Sequence, residues 1–400
     1  MQKEEPMSKI EFAPADRLST VQEYYFSRKL KEVARMNAEG YDVINLGIGS
    51  PDRPPSREMR EVMCQETMKD NTHGYQPYTG IPELRRAFAQ WYRQWYGVEL
   101  DPATEIQPLI GSKEGILHIT LALVNPGEEV LVPDPGYPAY SALSSLLGAK
   151  VRTYNLKEEN DWFPDFDELE QMDLSRVKLM WTNYPQMPTG ADATPELYER
   201  LVAFARAHHL IIVNDCPYSF ILTERPLSIL SVPGAKDCCI ELNSMSKAHN
   251  MPGWRVGMLA SNKDFVNWIL KVKSNIDSGT FRPMQLAAAK ALEAGEEWYA
   301  ENNKNYASRR VLAGKMMDLM GCSYSPKQVG MFLWGRIPES YASVEDLTER
   351  VLKEARVFIA PGMIFGKNGA RYVRISLCCP EEKLQEALRR MQAVFGKTTN

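Results

Sequence analysis

No run in this chain approaches the ~20 apolar residues needed to cross a bilayer, and no cluster of Lys and Arg is present. The first absence argues against a membrane span. The second argues against nucleic acid or an acidic lipid surface as a partner. The first fourteen residues are polar and carry both signs of charge, without the apolar core of a secretory signal, so the expected location is cytoplasmic. There is no C-x-x-C pair and no His-rich stretch among the 7 cysteines, two pairs of which, Cys238-Cys239 and Cys378-Cys379, are adjacent in apolar surroundings. Neither a zinc site nor a disulfide framework is indicated, and buried reduced thiols are the expectation. Internal repeats, low-complexity tracts and linker-like stretches are also missing.

What is present is ordinary for a globular chain: 400 residues, 44% hydrophobic, 24% charged, net charge -4. That length suggests two or three domains and a large core. Short apolar runs at 129–132, 151–154, 177–182, 210–215, 239–243 and 255–260 alternate with helix-like stretches at 113–124, 140–147, 195–208 and 263–274. This alternation predicts an α/β fold whose large domain has a mostly parallel sheet flanked by helices. Several of the runs are apolar throughout, as strands buried on both faces are. Beyond residue 291 the pattern changes. A long helix over 296–320 leads to strands at 331–337, 357–360 and 372–377, with helices at 344–354 and from Pro380. A smaller α+β domain is expected there. The expected division is 46–294 for the large domain and 295–400 for the small one, joined by the N-terminal segment 1–45.

A few side chains stand out against this background. Lys247, in Ser244-Met-Ser-Lys247, follows a probable buried strand, with Ser246 beside it and Arg255 close behind. A lysine amine can bond an aldehyde carbon, and hydroxyls with a guanidinium can hold a phosphate dianion. A solvated surface lysine is the plain alternative. Asp215 ends the run Leu-Ile-Ile-Val-Asn-Asp, and carboxyl ends of parallel strands face the ligand crevice. An acid there can keep a pyridine ring protonated, or it can merely cap a turn. Ser112 and Lys113 sit where a helical pattern begins after Gly111, a place that suits either a phosphate or a simple helix cap. Tyr137 follows another strand and could stack on a planar ring or pack a Pro-rich turn. Arg374 interrupts an apolar strand, and its best buried partner is a carboxylate.

Taken in order from Leu46-Gly-Ile-Gly49 to Arg374, these motifs resemble the fold-type I pyridoxal 5'-phosphate (PLP) aminotransferases of class I/II, over most of the chain. Each motif is loose alone, and the ordered set is specific. The segments 273–281 and 183–190 look most like the alanine and LL-diaminopimelate aminotransferases. The resemblance implies Lys247 as the Schiff-base lysine and proton carrier, Asp215 at the pyridine nitrogen, and Tyr218 at the phenolic oxygen. It further implies a phosphate cup of Ser112, Lys113, Ser244, Ser246 and Arg255, with Tyr137 stacked on the ring and Tyr75 reaching the phosphate of a neighbouring subunit. Gly49 and Arg374 would clamp the substrate α-carboxylate, and Tyr24 would close over substrate. The implied activity is ping-pong transfer of an amino group from an amino acid to a 2-oxo acid in a homodimer with shared sites. A C–S lyase would use the same scaffold, and pyruvate with ammonia as products would reveal it. A PLP-binding regulator is a third reading, set back because no winged-helix-like segment stands ahead of the motifs.

One position departs from the pattern. Where these relatives place Asn before Pro-Thr-Gly, this chain has Met187, and a thioether donates no hydrogen bond. Tyr218 alone, or with Asn183 or Gln186 turned in, is expected to serve the phenolic oxygen. Losing a donor to a phenolate should keep the lysine–cofactor linkage protonated to higher pH. A pH titration of the visible absorbance checks this: the yellow form is expected to persist at neutral pH, and an ordinary low transition would contradict it.

Overall fold

The computed structural model describes residues 12–20 and 25–396. Tyr24 lies outside the described residues. The second stretch opens with helix α1 (Tyr25–Ala38) and the short strand β1 (Ile44–Asn45). Helices α2 (Arg57–Thr67) and α3 (Pro82–Tyr96) follow. Ser56 caps α2 by accepting from the Met59 N–H, and Pro82 starts α3 where a missing N–H costs nothing.

Strands and helices then alternate. β2 (Ile106–Leu109), α4 (Ser112–Leu123), β3 (Glu129–Asp134), α5 (Pro138–Leu146) and β4 (Lys150–Asn155) come first. Next are α6 (Phe166–Glu170), β5 (Val177–Thr182), α7 (Pro195–His208) and β6 (Ile211–Asp215). β7 (Cys239–Ser244), α8 (Met245–Ala248), β8 (Gly257–Ala260) and α9 (Lys263–Lys273) complete the series. The seven strands β2–β8 form one sheet in the order β2-β8-β7-β6-β5-β3-β4. β8 runs antiparallel to both of its neighbours, and the other pairings are parallel. Its central strands are buried at nearly every position, which explains their unbroken apolar runs. The expected mostly parallel α/β sheet is therefore present.

Helices α10 (Arg282–Ala291) and α11 (Glu296–Leu319) lead to a second, antiparallel sheet. It contains β9 (Phe332–Arg336); after α12 (Val344–Arg350) and β10 (Val357–Phe358) come its other members, β11 (Ala360–Pro361) and β12 (Tyr372–Ser376), ahead of α13 (Glu381–Phe395). β12 is central, with Arg374 opposite Ala360 on one side and Trp334 on the other. β10 pairs instead with β1, in parallel. The single strand expected at 357–360 is thus two, each serving a different partner. The helix expected over 344–354 changes to a wider π turn at Val351–Ala355. The strand expected from Arg255 starts at Gly257, because Arg255 has φ 56 in the left-handed region and turns the chain.

These departures place the crevice. β1 continues across β12, with the Leu46 N–H donating to Phe358 O and the Ser376 N–H to Leu46 O. The chain from Gly47 to Gly49 is thereby laid over the carboxyl ends of β6 and β7. Glycine is needed there: a Cβ on Gly49 would lie 2.2 Å from the Phe332 ring. Gly257 is equally constrained, since its Cβ would meet the Ser112 nitrogen at 2.8 Å and the Asn243 oxygen at 2.9 Å. Both are backbone atoms that cannot swing aside. Gly257→Ala is expected to lower stability by about 1–3 kcal/mol and to loosen the turn before α4. Urea unfolding measures the first effect, and a variant as stable as the parent would mean that β8 can shift without cost.

Candidate active site

A cavity of about 930 Å³ opens between the two sheets, over the carboxyl ends of β5, β6 and β7. Its walls include Gly49, Ser112, Lys113, Tyr137, Asp215, Tyr218, Ser244, Ser246, Lys247, Arg255 and Arg374. Residues scattered from position 49 to 374 are brought together because strand ends, one helix start and one crossing loop all stop at the same rim.

Lys247 is on the single turn α8 directly after β7, and its Nζ donates to the Gly49 carbonyl. Burial pushes its pKa below the ordinary lysine range, and the Arg374 and Arg255 guanidiniums push the same way. A larger fraction of neutral amine follows, the form that acts as nucleophile or base. Asp215 is buried, accepting on Oδ2 from the Tyr140 hydroxyl at 2.9 Å, while Oδ1 is buried without a partner. Desolvation raises its pKa to about 7, opposed by the Tyr140 hydrogen bond and the Lys247 charge. A buried carboxylate with one open oxygen calls for a cationic N–H. Tyr218 is buried next to Phe332, and burial raises its phenol pKa. Tyr140 stacks on Trp181 at 5.0 Å and meets the Tyr137 ring edge-on at 5.5 Å.

At one end of the cavity lies an anion cradle. Gly111 (φ 74) turns the chain so that α4 begins at Ser112 with its N–H groups exposed to the rim. A Cβ there would sit 2.1 Å from Arg255 Nη2, so only glycine lets the guanidinium approach. Arg255 Nη1 donates to Ser246 Oγ at 3.4 Å and to Pro252 O at 2.9 Å, and the Ser246 N–H donates to Ser244 Oγ at 3.1 Å. Among the described residues no carboxylate forms an ion pair with Arg255.

At the other end is Arg374. It is 5% exposed, with Phe332 and Phe365 rings 3.9 and 4.5 Å from its guanidinium carbon. Nη2 donates to Gly47 O at 2.7 Å, Nη1 to Met187 Sδ at 3.1 Å, and Nε is buried without a partner. Burial lowers its pKa to about 10, which leaves it cationic at neutral pH. No described carboxylate neutralises it. These donors fit PLP and a carboxylate substrate together: an aldehyde-bonding amine, an open acid, a phosphate cradle and a free guanidinium.

One described sequence candidate is not in this group. Tyr75 is 93% exposed and does not line the cavity. Tyr24 is not described. Conversely, Tyr140, Phe332 and Phe365 belong to the site without having been singled out. Tyr140 had a signal, three residues after Tyr137 in a turn that starts a helix, whereas the two phenylalanines had none. Asn183 and Gln186, considered for the phenolic oxygen, are engaged elsewhere. Asn183 donates to Asp215 O and accepts from the Met187 N–H. Gln186 donates to Pro135 O and accepts from Thr189.

Residues 41–391 match the family model described as aminotransferase class I and II. The chain belongs to this family. It is therefore a PLP-dependent enzyme that transfers amino groups between amino acids and 2-oxo acids. It is 41% identical to the LL-diaminopimelate aminotransferase of Oleidesulfovibrio alaskensis over 387 residues, covering 96% of this chain and 100% of that protein. Identity to the LL-diaminopimelate aminotransferase of Aquifex aeolicus is also 41%, covering 95% and 99%. Among solved structures, substrate-bound BacF from Bacillus subtilis superposes with a TM-score of 0.90 at 33% identity, covering 98% and 100%. A Thermus thermophilus aspartate aminotransferase mutant gives 0.89 at 25%, covering 96% and 100%. The aminotransferase expectation holds, and the lyase has no support from these relatives.

The raised pKa of Asp215 has a consequence for stability. The unfolded chain releases this proton near pH 4, whereas the folded apoprotein keeps it until about 7. The associated stability is full below pH ~4 and is lost as pH rises through about 7. Relative to Asp215→Asn, the apoprotein is expected to lose up to about 4 kcal/mol between pH 4 and 8. Urea unfolding of both proteins across that range checks it, and parallel curves would mean that Asp215 is not held protonated.

Proposed function

We propose that LL-diaminopimelate is the amino donor and a 2-oxo acid the acceptor, in a cytoplasmic homodimer worked by Lys247, Asp215 and Arg374. The observation that carries the site assignment is Arg374: a buried guanidinium without an internal carboxylate, on the same cavity as Lys247. The donor is supported by relatives bearing that name at 41% identity from end to end. When bound, PLP supplies an aldehyde that takes up the amino group and a protonated ring that draws off the electrons left by Cα–H cleavage.

The chain's residues do the rest. Asp215 offers Oδ1 to the ring nitrogen, and Tyr140 holds Oδ2 so that the carboxylate keeps this orientation. Tyr218 would serve the phenolic oxygen, and Tyr137 would cover the ring; both line the cavity. Ser112, Lys113, Ser244, Ser246 and Arg255 hold the phosphate, through backbone N–H for some. Arg374, with the Gly49 backbone, would fix the α-carboxylate and with it the direction of the Cα–H bond. Lys247 Nζ moves that proton, and its lowered pKa favours the neutral amine that accepts it.

Tyr75 acts on the phosphate of a second copy. Its 93% exposure, with Tyr78, Ile110, Ile276 and Phe281 also exposed, supports a face that a partner covers. The division into a large domain, 46–294, and a small one, 295–400 with 1–45, belongs to the same proposal and is supported by the β1–β10 pairing.

A donor panel with 2-oxoglutarate or pyruvate tests the reading. LL-diaminopimelate is expected to give the highest kcat/KM, and Lys247→Ala to abolish turnover. Arg374→Leu should raise KM by about 30- to 1,000-fold, the cost of removing one partner of a buried charge pair. A better donor without a second polar end would displace LL-diaminopimelate, and ammonia release without an acceptor would favour the lyase.

A further inference from the structure

Arg374 is held in a way that its own strand does not determine. The Phe332 and Phe365 ring centroids lie 3.9 and 4.5 Å from the guanidinium carbon, so two aromatic faces pack against it. Movement within the plane is limited by two acceptors, the Gly47 carbonyl on Nη2 at 2.7 Å and Met187 Sδ on Nη1 at 3.1 Å. The Gly47 contact is a single point about which a fork could pivot. The thioether is the second point.

Met187 is itself fixed. It is 5% exposed, sits between Pro185 and Pro188, and donates its N–H to Asn183 Oδ1 at 2.9 Å. Asn183 is pinned in turn to the backbone at Asp215. A chain of contacts therefore runs from the end of β6 through Asn183 and Met187 to the guanidinium on β12.

We propose that Met187 is a positioning residue that orients the Arg374 guanidinium for an incoming carboxylate by accepting from Nη1. This rests on the assignment of Arg374 as the carboxylate clamp. The choice of sulfur has a physical reason. A thioether is a weak acceptor, so it aligns the fork and yields when a carboxylate arrives with a charge-assisted pair of hydrogen bonds. An amide or carboxylate oxygen of the same reach would compete with the substrate for the same N–H. An aliphatic side chain of the same size would leave the fork free to pivot.

Binding of succinate, an unreactive dicarboxylate, to the holoenzyme by calorimetry tests this beside steady-state kinetics. Met187→Leu is expected to raise the succinate Kd by about three- to ten-fold. KM for the amino acid and the oxo acid should rise alike, with a smaller change in kcat. Protein carrying selenomethionine keeps a soft acceptor and should match the parent. Met187→Glu neutralises Arg374 from within and should weaken succinate about 100-fold or more. Parent-like succinate binding in Met187→Leu would overturn the proposal, making Met187 a space-filler whatever the Glu variant does. A fall in kcat with unchanged succinate affinity in Met187→Leu would also overturn it, by placing the residue's effect on the cofactor. Arg374→Leu separates the two levels. If it binds succinate like the parent, the clamp assignment itself fails; if it does not while Met187→Leu does, only the role of Met187 fails.

Discussion

The site depends on ionisable groups that the fold leaves without internal counter-ions, two of them buried. Arg374 is buried with its Nε unpartnered, and Asp215 has one oxygen in the same state. Arg255, exposed at the rim beside the start of α4, has no acid within ion-pair distance among the described residues. Burying an uncompensated charge is unfavourable by several kcal/mol per ion. A protein that keeps such groups stores their pairing capacity for something that arrives later. Under the proposed function the signs would match the visitors: a carboxylate for Arg374, a pyridinium for Asp215, a phosphate for Arg255.

The remainder of the architecture supports those unpaired groups. Glycines stand where backbone must come close, at Gly49 beneath the Phe332 ring and at Gly111 against the Arg255 guanidinium. Aromatic rings enclose the cavity and lower its polarity, and that desolvation displaces the pKa values of Lys247 and Asp215 toward neutrality. The other buried cations, by contrast, are paired. Lys273 contacts Glu114 and Asp277, and Arg309 holds Asp52 through two hydrogen bonds of 2.7 and 2.9 Å. Among the buried cations, Arg374 at the cavity is the one left open.

Much of this was legible in residue order. The β5, β6 and β7 runs read as buried strands because both faces of a covered parallel sheet are apolar. Asp215 and Lys247 read as functional because each follows such a run, where strand ends meet the crevice. Less legible were α2, α3, α10 and β2, none of them foreseen. The helices are interrupted by polar residues on their outer faces, and the short buried β2 carries Gln107 and Pro108 in place of an apolar run. The split of the strand at 357–360 was hidden because two short pairings with different partners look the same along the chain as one longer strand. Phe332 and Phe365 gave no signal, since an aromatic in an apolar stretch looks the same whether it packs a core or flanks a guanidinium.

The sequence by itself determined the family, the cofactor and the chemistry, because an amine, an acid, hydroxyls and guanidiniums in fixed order leave few other reactions open. Only the tertiary structure decided how they are held. Met187 shows the difference. In sequence it is a lost donor beside the cofactor; in three dimensions its sulfur lies 3.1 Å from Arg374, which is 187 residues away along the chain. Which side chain a buried guanidinium finds depends on how β12 crosses the end of the large sheet. No local pattern encodes that crossing.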